Sequence, residues 1–222
     1  MRRAAMVAIL LAVCGCSDGV PAAGNAVFPA DGASVPIPPV KPSGLANSAG
    51  ALCGDPRLTG TRTFDLKRPI RACGVGNAVK ITSISGIKLT TPAVLSCRTA
   101  TTFADWLTNT ANPLAQKSLG GSIEKVWMMG AYSCRTRNSQ RGARLSEHAY
   151  GRAIDIGGMW LSTGRRITVK QNWGKGSAGQ YLRRIWKAAC GPFKTVLGPD
   201  GDRFHQDHLH FDLAQRRSTF CR

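Results

Sequence analysis

At 222 residues and a formal charge of +18, with 30 Lys and Arg against 12 Asp and Glu, the chain has room for one domain of ordinary size plus appendages, and its field attracts polyanions. That field governs encounter and solubility and does not by itself specify chemistry. The cysteines include no Cys-x-x-Cys pair, which argues against a thiolate zinc site and leaves any metal to histidine and carboxylate ligands.

Residues 1–16 read as a targeting segment: Arg2 and Arg3, an apolar run from Ala4 to Val13, then Cys14-Gly15-Cys16. The run is too short for a permanent membrane helix. Its end resembles a bacterial lipoprotein signal with Cys16 as the acylated residue, and Ser17 after it suits outer-membrane sorting; plain secretion is the alternative. Residues 17–50, rich in Pro, Ala, Gly and Ser, hold too little apolar side chain to bury and are expected to form a flexible tether reaching on the order of 30 Å. In an exported chain the six remaining cysteines (Cys53, Cys73, Cys97, Cys134, Cys190 and Cys221) suggest three disulfides. Pairing neighbours in sequence gives Cys53 with Cys73, Cys97 with Cys134, and Cys190 with Cys221. The polyanions to expect there are cell-wall polymers, carboxylate-bearing peptides or lipid head groups, with no nucleic acid.

The folded domain is expected over residues 51–222. Alternating apolar residues predict a strand over 78–84, a turn at Gly86 and a short strand over 87–90. A helix is predicted from Pro92, with Val94, Leu95, Phe103, Trp106 and Leu107 on its apolar side. A strand over 123–134 follows, then a polar turn containing Arg135 and Arg137. Residues 154–161 and 166–169 pair as a hairpin. Leu182, Ile185, Trp186 and Ala189 mark the buried face of a helix over 178–190. After a strand over 193–197, the turn Gly198 to Asp202 leads into a last strand. The pattern as a whole predicts an α+β fold: a central antiparallel sheet carrying the site, helices packed to one side, and disulfide staples.

All four histidines fall in two short segments, His148 in the first and His205, His208 and His210 in the second. In the second, Leu209, Phe211 and Leu213 alternate with His208, His210 and Asp212, so the two imidazoles project from one strand face. In the first, Gly151 folds the chain back so that Asp155, flanked by Ile154 and Ile156, points away from the core beside His148. Two imidazoles and one carboxylate from neighbouring strands make the three-ligand set that catalytic zinc uses, with a fourth position for water. His148, Asp155 and His210 are therefore the expected ligands of Zn2+. His208 is the candidate general base, Asp207 its rival, and His205 orients the base or touches substrate. Arg135 or Arg137 would supply the positive donor for an oxyanion.

The pattern Ser146-x-His148-x-x-Gly151-x-Ala153-x-Asp155, with His208-x-His210, resembles the zinc peptidase superfamily that includes lysostaphin, D-alanyl-D-alanine carboxypeptidases and murein endopeptidases. The resemblance implies that His148, Asp155 and His210 hold zinc and that an arginine before the first ligand, here Arg135, polarises the scissile carbonyl. More specifically, the span from Cys53 to Arg222 resembles the bacterial extensin-like family through Gly130-Ala131-Tyr132-Ser133-Cys134-Arg135, Leu145-Ser146-Glu147-His148-Ala149, Val196-Leu197-Gly198-Pro199-Asp200, His208-Leu209-His210-Phe211-Asp212 and Cys221-Arg222. These likenesses imply a zinc metallopeptidase of the cell envelope acting on peptidoglycan stem peptides or cross-links. A zinc-fold module without activity that binds murein or an envelope protein is the rival.

Overall fold

A computed structural model of the protein describes residues 51–63, 66–67 and 72–222. The expected signal segment with Cys16, and the tether, lie outside the described residues. No helix among the described residues is long and apolar enough to cross a membrane.

Eleven strands are present among these residues. They are β1 (Leu58–Arg62), β2 (Leu66–Lys67), β3 (Gly74–Val75), β4 (Ala78–Ile84), β5 (Ile87–Ser96), β6 (Ile123–Gly130), β7 (Ala153–Leu161), β8 (Arg166–Thr168), β9 (Thr195–Leu197), β10 (Leu209–Asp212) and β11 (Phe220–Cys221). Helices α1 (Cys97–Trp106) and α2 (Asn112–Leu119), joined through one π-turn segment, separate β5 from β6, and α3 (Val169–Asn172) and α4 (Gly176–Ala189) separate β8 from β9. The main sheet runs β1-β4-β5-β6-β7-β10-β9-β11, with β8 paired to β7, and β2 and β3 form a separate ribbon.

The sheet is mixed rather than antiparallel throughout. Strands β6, β7, β10 and β9 are mutually antiparallel, but β5 pairs with β6 in parallel and β9 with β11 in parallel. The cause is the connection: the chain between Ser96 and Ile123 travels through helices, and a crossover of that length returns a strand in the same direction.

Helix α1 starts five residues later than Pro92 predicts. Pro92 lies inside β5, exposed, in the stretch where pairing with β4 is interrupted between Ala93 and Lys88. No ladder bond is asked of its missing N–H there. The helix begins instead after Ser96, whose hydroxyl accepts the amide of Thr99 at 3.3 Å, an N-cap worth about 1 kcal/mol. Val94 and Leu95 are accordingly strand residues, whereas Phe103, Trp106 and Leu107 are buried helix residues in the core.

The helices and the apolar face of the sheet share one core, which includes Phe103, Trp106, Ile154, Ile156, Leu182, Ile185, Leu209 and Phe211. Trp106 stands edge-on to Phe211 at 5.1 Å and donates from its indole to the Ile185 carbonyl of α4 at 3.0 Å. Each large aliphatic or aromatic side chain buried in this way contributes about 1.5–3 kcal/mol. That packing fixes which way β7 and β10 face.

All six cysteines among the described residues are bonded, but only Cys190–Cys221 follows the neighbour rule. The other two bridges are Cys53–Cys97 and Cys73–Cys134, with sequence separations of 44 and 61. Sequence proximity is a weak criterion because doubling a loop costs only about 0.6 kcal/mol of closure entropy. Topology decides the pairing. Cys53, in the turn before β1, lies against Cys97 at the start of α1, and Cys73, directly before β3, lies against Cys134 in the turn that follows β6.

Candidate metal centre

The site is built on the cross-strand register of β7 and β10. His210 lies directly opposite Asp155, flanked by the pairs Leu209–Ile156 and Phe211–Ile154, whose four side chains are fully buried. Because strand side chains alternate, burying those pairs forces His210 and Asp155 to the other face together. Asp155 Oδ1 lies 2.8 Å from His210 Nδ1.

His148 arrives from a short 3-10 helix, Glu147–Tyr150. The hydroxyl of Ser146 accepts the His148 amide at 3.4 Å, and Gly151, at φ 61°, reverses the chain into β7. A side chain at Gly151 would be strained by that angle, and its Cβ would also press on Val75 at 2.8 Å. The result sets His148 Nε2 at 3.1 Å from Asp155 Oδ2 and 3.3 Å from His210 Nδ1. His148, Asp155 and His210 are all buried, and their ligand atoms lie within 4.8 Å of one another, a group able to hold a metal ion.

The outer bonds make the case stronger than proximity alone. His148 Nδ1–H donates to the carbonyl of Ala131, and His210 Nε2–H donates to Asp212 Oδ2 at 3.1 Å. Each ring thus has its far nitrogen committed as a donor, which fixes the tautomer and turns the near nitrogen's lone pair inward. Two inward lone pairs 3.3 Å apart repel unless a proton or cation lies between them. The donor set of two imidazoles and one carboxylate suits zinc or a similar borderline metal better than calcium or magnesium.

Electrostatics agree. Burial alone would raise the Asp155 carboxyl, but the imidazoles of His148 and His210 outweigh it and hold it well below the usual carboxylate range. Burial would likewise depress His210, yet the carboxylates of Asp155 and Asp212 overcome it and push that imidazole up to about 9. Asp212 is held low on balance: burial opposes ionisation, and the bond from His210 prevails.

The remaining predicted residues fall into two groups. His208 is near the ligands: its Nε2 is 3.7 Å from Asp155 Oδ1, while Nδ1–H donates to Asp207 Oδ1 at 2.8 Å. His205 is buried between them, with its ring 5.1 Å from His208 and 5.5 Å from His210, and it donates from Nδ1 to Asp202 at 2.7 Å. Burial lowers its basicity against the pull of Asp202. The two arginines bond other groups. Arg135 donates to its neighbour's carbonyl, that of Thr136, at 3.4 Å, and Arg137 lies 3.9 Å from Glu147. Neither guanidinium bonds any of the three candidate ligands.

Three contributors had no role assigned from sequence: Asp212, the Ala131 carbonyl and Gly130. Asp212 was on the imidazole face of the alternation, two residues beyond His210, and a carboxylate at that spacing was the available signal. Gly130 lies opposite Asp155 in the ladder, and a Cβ there would overlap the Asp155 carboxylate. It also explains why β6 stops at Gly130 instead of running on to Cys134: the chain turns out of the sheet and leaves the next carbonyl, that of Ala131, free to accept from His148.

The family model described as Extensin-like protein C-terminus matches residues 57–222. No curated protein and no solved structure matches the chain.

Proposed function

From the premise that the chain belongs to the extensin-like C-terminus family, we propose that it is a zinc-dependent peptidase of the bacterial cell envelope, acting on peptidoglycan stem peptides or cross-links. The observation that carries this reading is the pair of imidazoles with their far nitrogens tied to Ala131 and Asp212 and their near nitrogens turned toward the Asp155 carboxylate. Zinc held by His148, Asp155 and His210 would supply Lewis acidity, acidifying a water and polarising a peptide carbonyl.

The chain's own residues do the rest. With Nδ1–H given to Asp207, His208 offers the lone pair of Nε2 at the rim of the site, the arrangement a general base needs. His208 takes a proton from the attacking water and returns it to the leaving amine. Asp207 steadies the imidazolium formed in between. The pairing favours His208 over Asp207 as the base, since Asp207 is occupied as its acceptor. His205 keeps the rings of His208 and His210 apart and upright, a positioning role. The likeness to lysostaphin-type and D-alanyl-D-alanine peptidases belongs to the same proposal, as does anchoring through a lipid on Cys16.

The test is metal analysis of the purified full chain, followed by mass spectrometry of purified peptidoglycan digested with it. About one zinc per chain and new peptide ends are expected. A zinc-loaded protein that binds the polymer and leaves it uncut would replace the peptidase with a binding module; a chain that takes up no zinc would end both.

A further inference from the structure

Outside the roles given above lies a groove of about 860 Å³ lined among others by Arg137, Arg144, Glu147, Arg152 and Arg216. Four of these residues are cationic and one is anionic. Glu147 is shared between Arg137 at 3.9 Å and Arg152 at 3.6 Å, while Arg144 and Arg216, both exposed, make no ion pair among the described residues. Arg216 rests on the ring of Phe220 and Arg152 on that of Tyr150, so two of the cations are held in place by aromatic contact before any ligand arrives. Glu147 directly precedes His148 in the same 3-10 turn, which joins the groove to the metal centre through one residue.

We infer that this groove is a recognition subsite for free carboxylates on an acidic peptide. Planar guanidinium groups bind carboxylates with two parallel hydrogen bonds. Glu147, itself a carboxylate among them, disfavours a compact multiply charged anion such as phosphate more than it disfavours singly charged groups spaced along a chain. The groove also gives Arg137 a place: it recognises substrate charge. Assigning the acidic peptide as substrate rests on the peptidase reading, whereas carboxylate binding does not.

The experiment titrates the full chain calorimetrically with triglutamate, with the amidated triglutamine peptide and with inorganic phosphate. Each titration is run with zinc and again after metal removal by phenanthroline, a neutral chelator that does not compete for the arginines. Triglutamate is expected to bind in both states, and Arg144→Gln with Arg216→Gln is expected to weaken it at least tenfold. Lys80→Gln with Lys187→Gln, equal in charge and outside the groove, should change it less than twofold. The inference is overturned if triglutamate fails to bind, if binding vanishes with the metal, if phosphate or triglutamine binds as tightly, or if both double variants lose equally. Because binding is read without turnover, its failure leaves the peptidase reading standing, and failure of peptidoglycan cleavage leaves the subsite standing.

Discussion

Asp212 holds His210 from two residues further along the same strand, its Oδ2 accepting the Nε2 proton at 3.1 Å while its Oδ1 accepts the Ala214 amide at 2.9 Å. The carboxylate is itself anchored, so the imidazole it orients cannot swing. Replacing it by Asp212→Asn keeps the volume and removes the charge. The expected result is a 10- to 100-fold loss of zinc affinity, about the usual effect of a partner one bond behind the metal, with the fold retained. Competition against a chromogenic chelator measures it, and an unchanged affinity would mean that Asp212 serves the strand end alone.

Gly130 lies opposite Asp155 with no room for a side chain. Its Cβ would fall on Asp155 Oδ2, and both neighbours of that carboxylate are fixed rings. Gly130→Ala should therefore cost about 1–3 kcal/mol of stability from overpacking and lower zinc uptake at the same time. Calorimetric melting with metal analysis checks the pair of effects; full zinc occupancy at wild-type stability would show that the carboxylate has room to move.

The convergence of His148, Asp155 and His210 was legible in the sequence because it depends on short-range rules. Alternation aimed His208 and His210 the same way, Gly151 supplied the reversal beside His148, and the Ile154–Ile156 pair turned Asp155 outward. What escaped depends on long-range register. The parallel junction of β5 and β6, the Cys53–Cys97 and Cys73–Cys134 bridges and the apposition of Gly130 to Asp155 arise from which strands become neighbours, and local periodicity carries little of that. Pro92 misled for a related reason: a proline suits both a helix start and a gap in a ladder, and only the pairing of β4 with β5 distinguishes them.

His208 and Asp207 form a pair whose members are separable by mutation. His208→Ala removes the proposed base and should reduce kcat by about 10²–10⁴-fold with zinc retained. Asp207→Asn leaves the imidazole and weakens only its support, so a smaller loss is expected. Steady-state cleavage of a synthetic stem peptide by both variants decides the roles. The reverse order, with Asp207→Asn the more damaging, would make the carboxylate the base.

The metal centre also sets how stability responds to pH. In the metal-free protein, burial opposes charging of His210 and the carboxylates of Asp155 and Asp212 outweigh it, so the imidazole is raised from its ordinary 6.5 to about 9. The folded state then binds this proton more tightly than the unfolded chain, and the associated stability is complete below about 6.5 and lost as pH rises through about 9. Asp155 behaves oppositely: its carboxyl is depressed, so its contribution is present above the ordinary 3.8 and lost as the solution becomes acid enough to protonate it. Zinc in the proposed site would compete with the His210 proton for Nδ1, and its apparent affinity should climb as that proton becomes easier to remove, by up to about tenfold per pH unit. Melting temperatures taken from pH 6 to pH 9 should thus fall for the metal-free protein, and the gap between zinc-loaded and metal-free curves should widen over the same range. A gap that stays constant would mean that no proton leaves His210 when the metal enters, and Nδ1 would then not be a ligand atom.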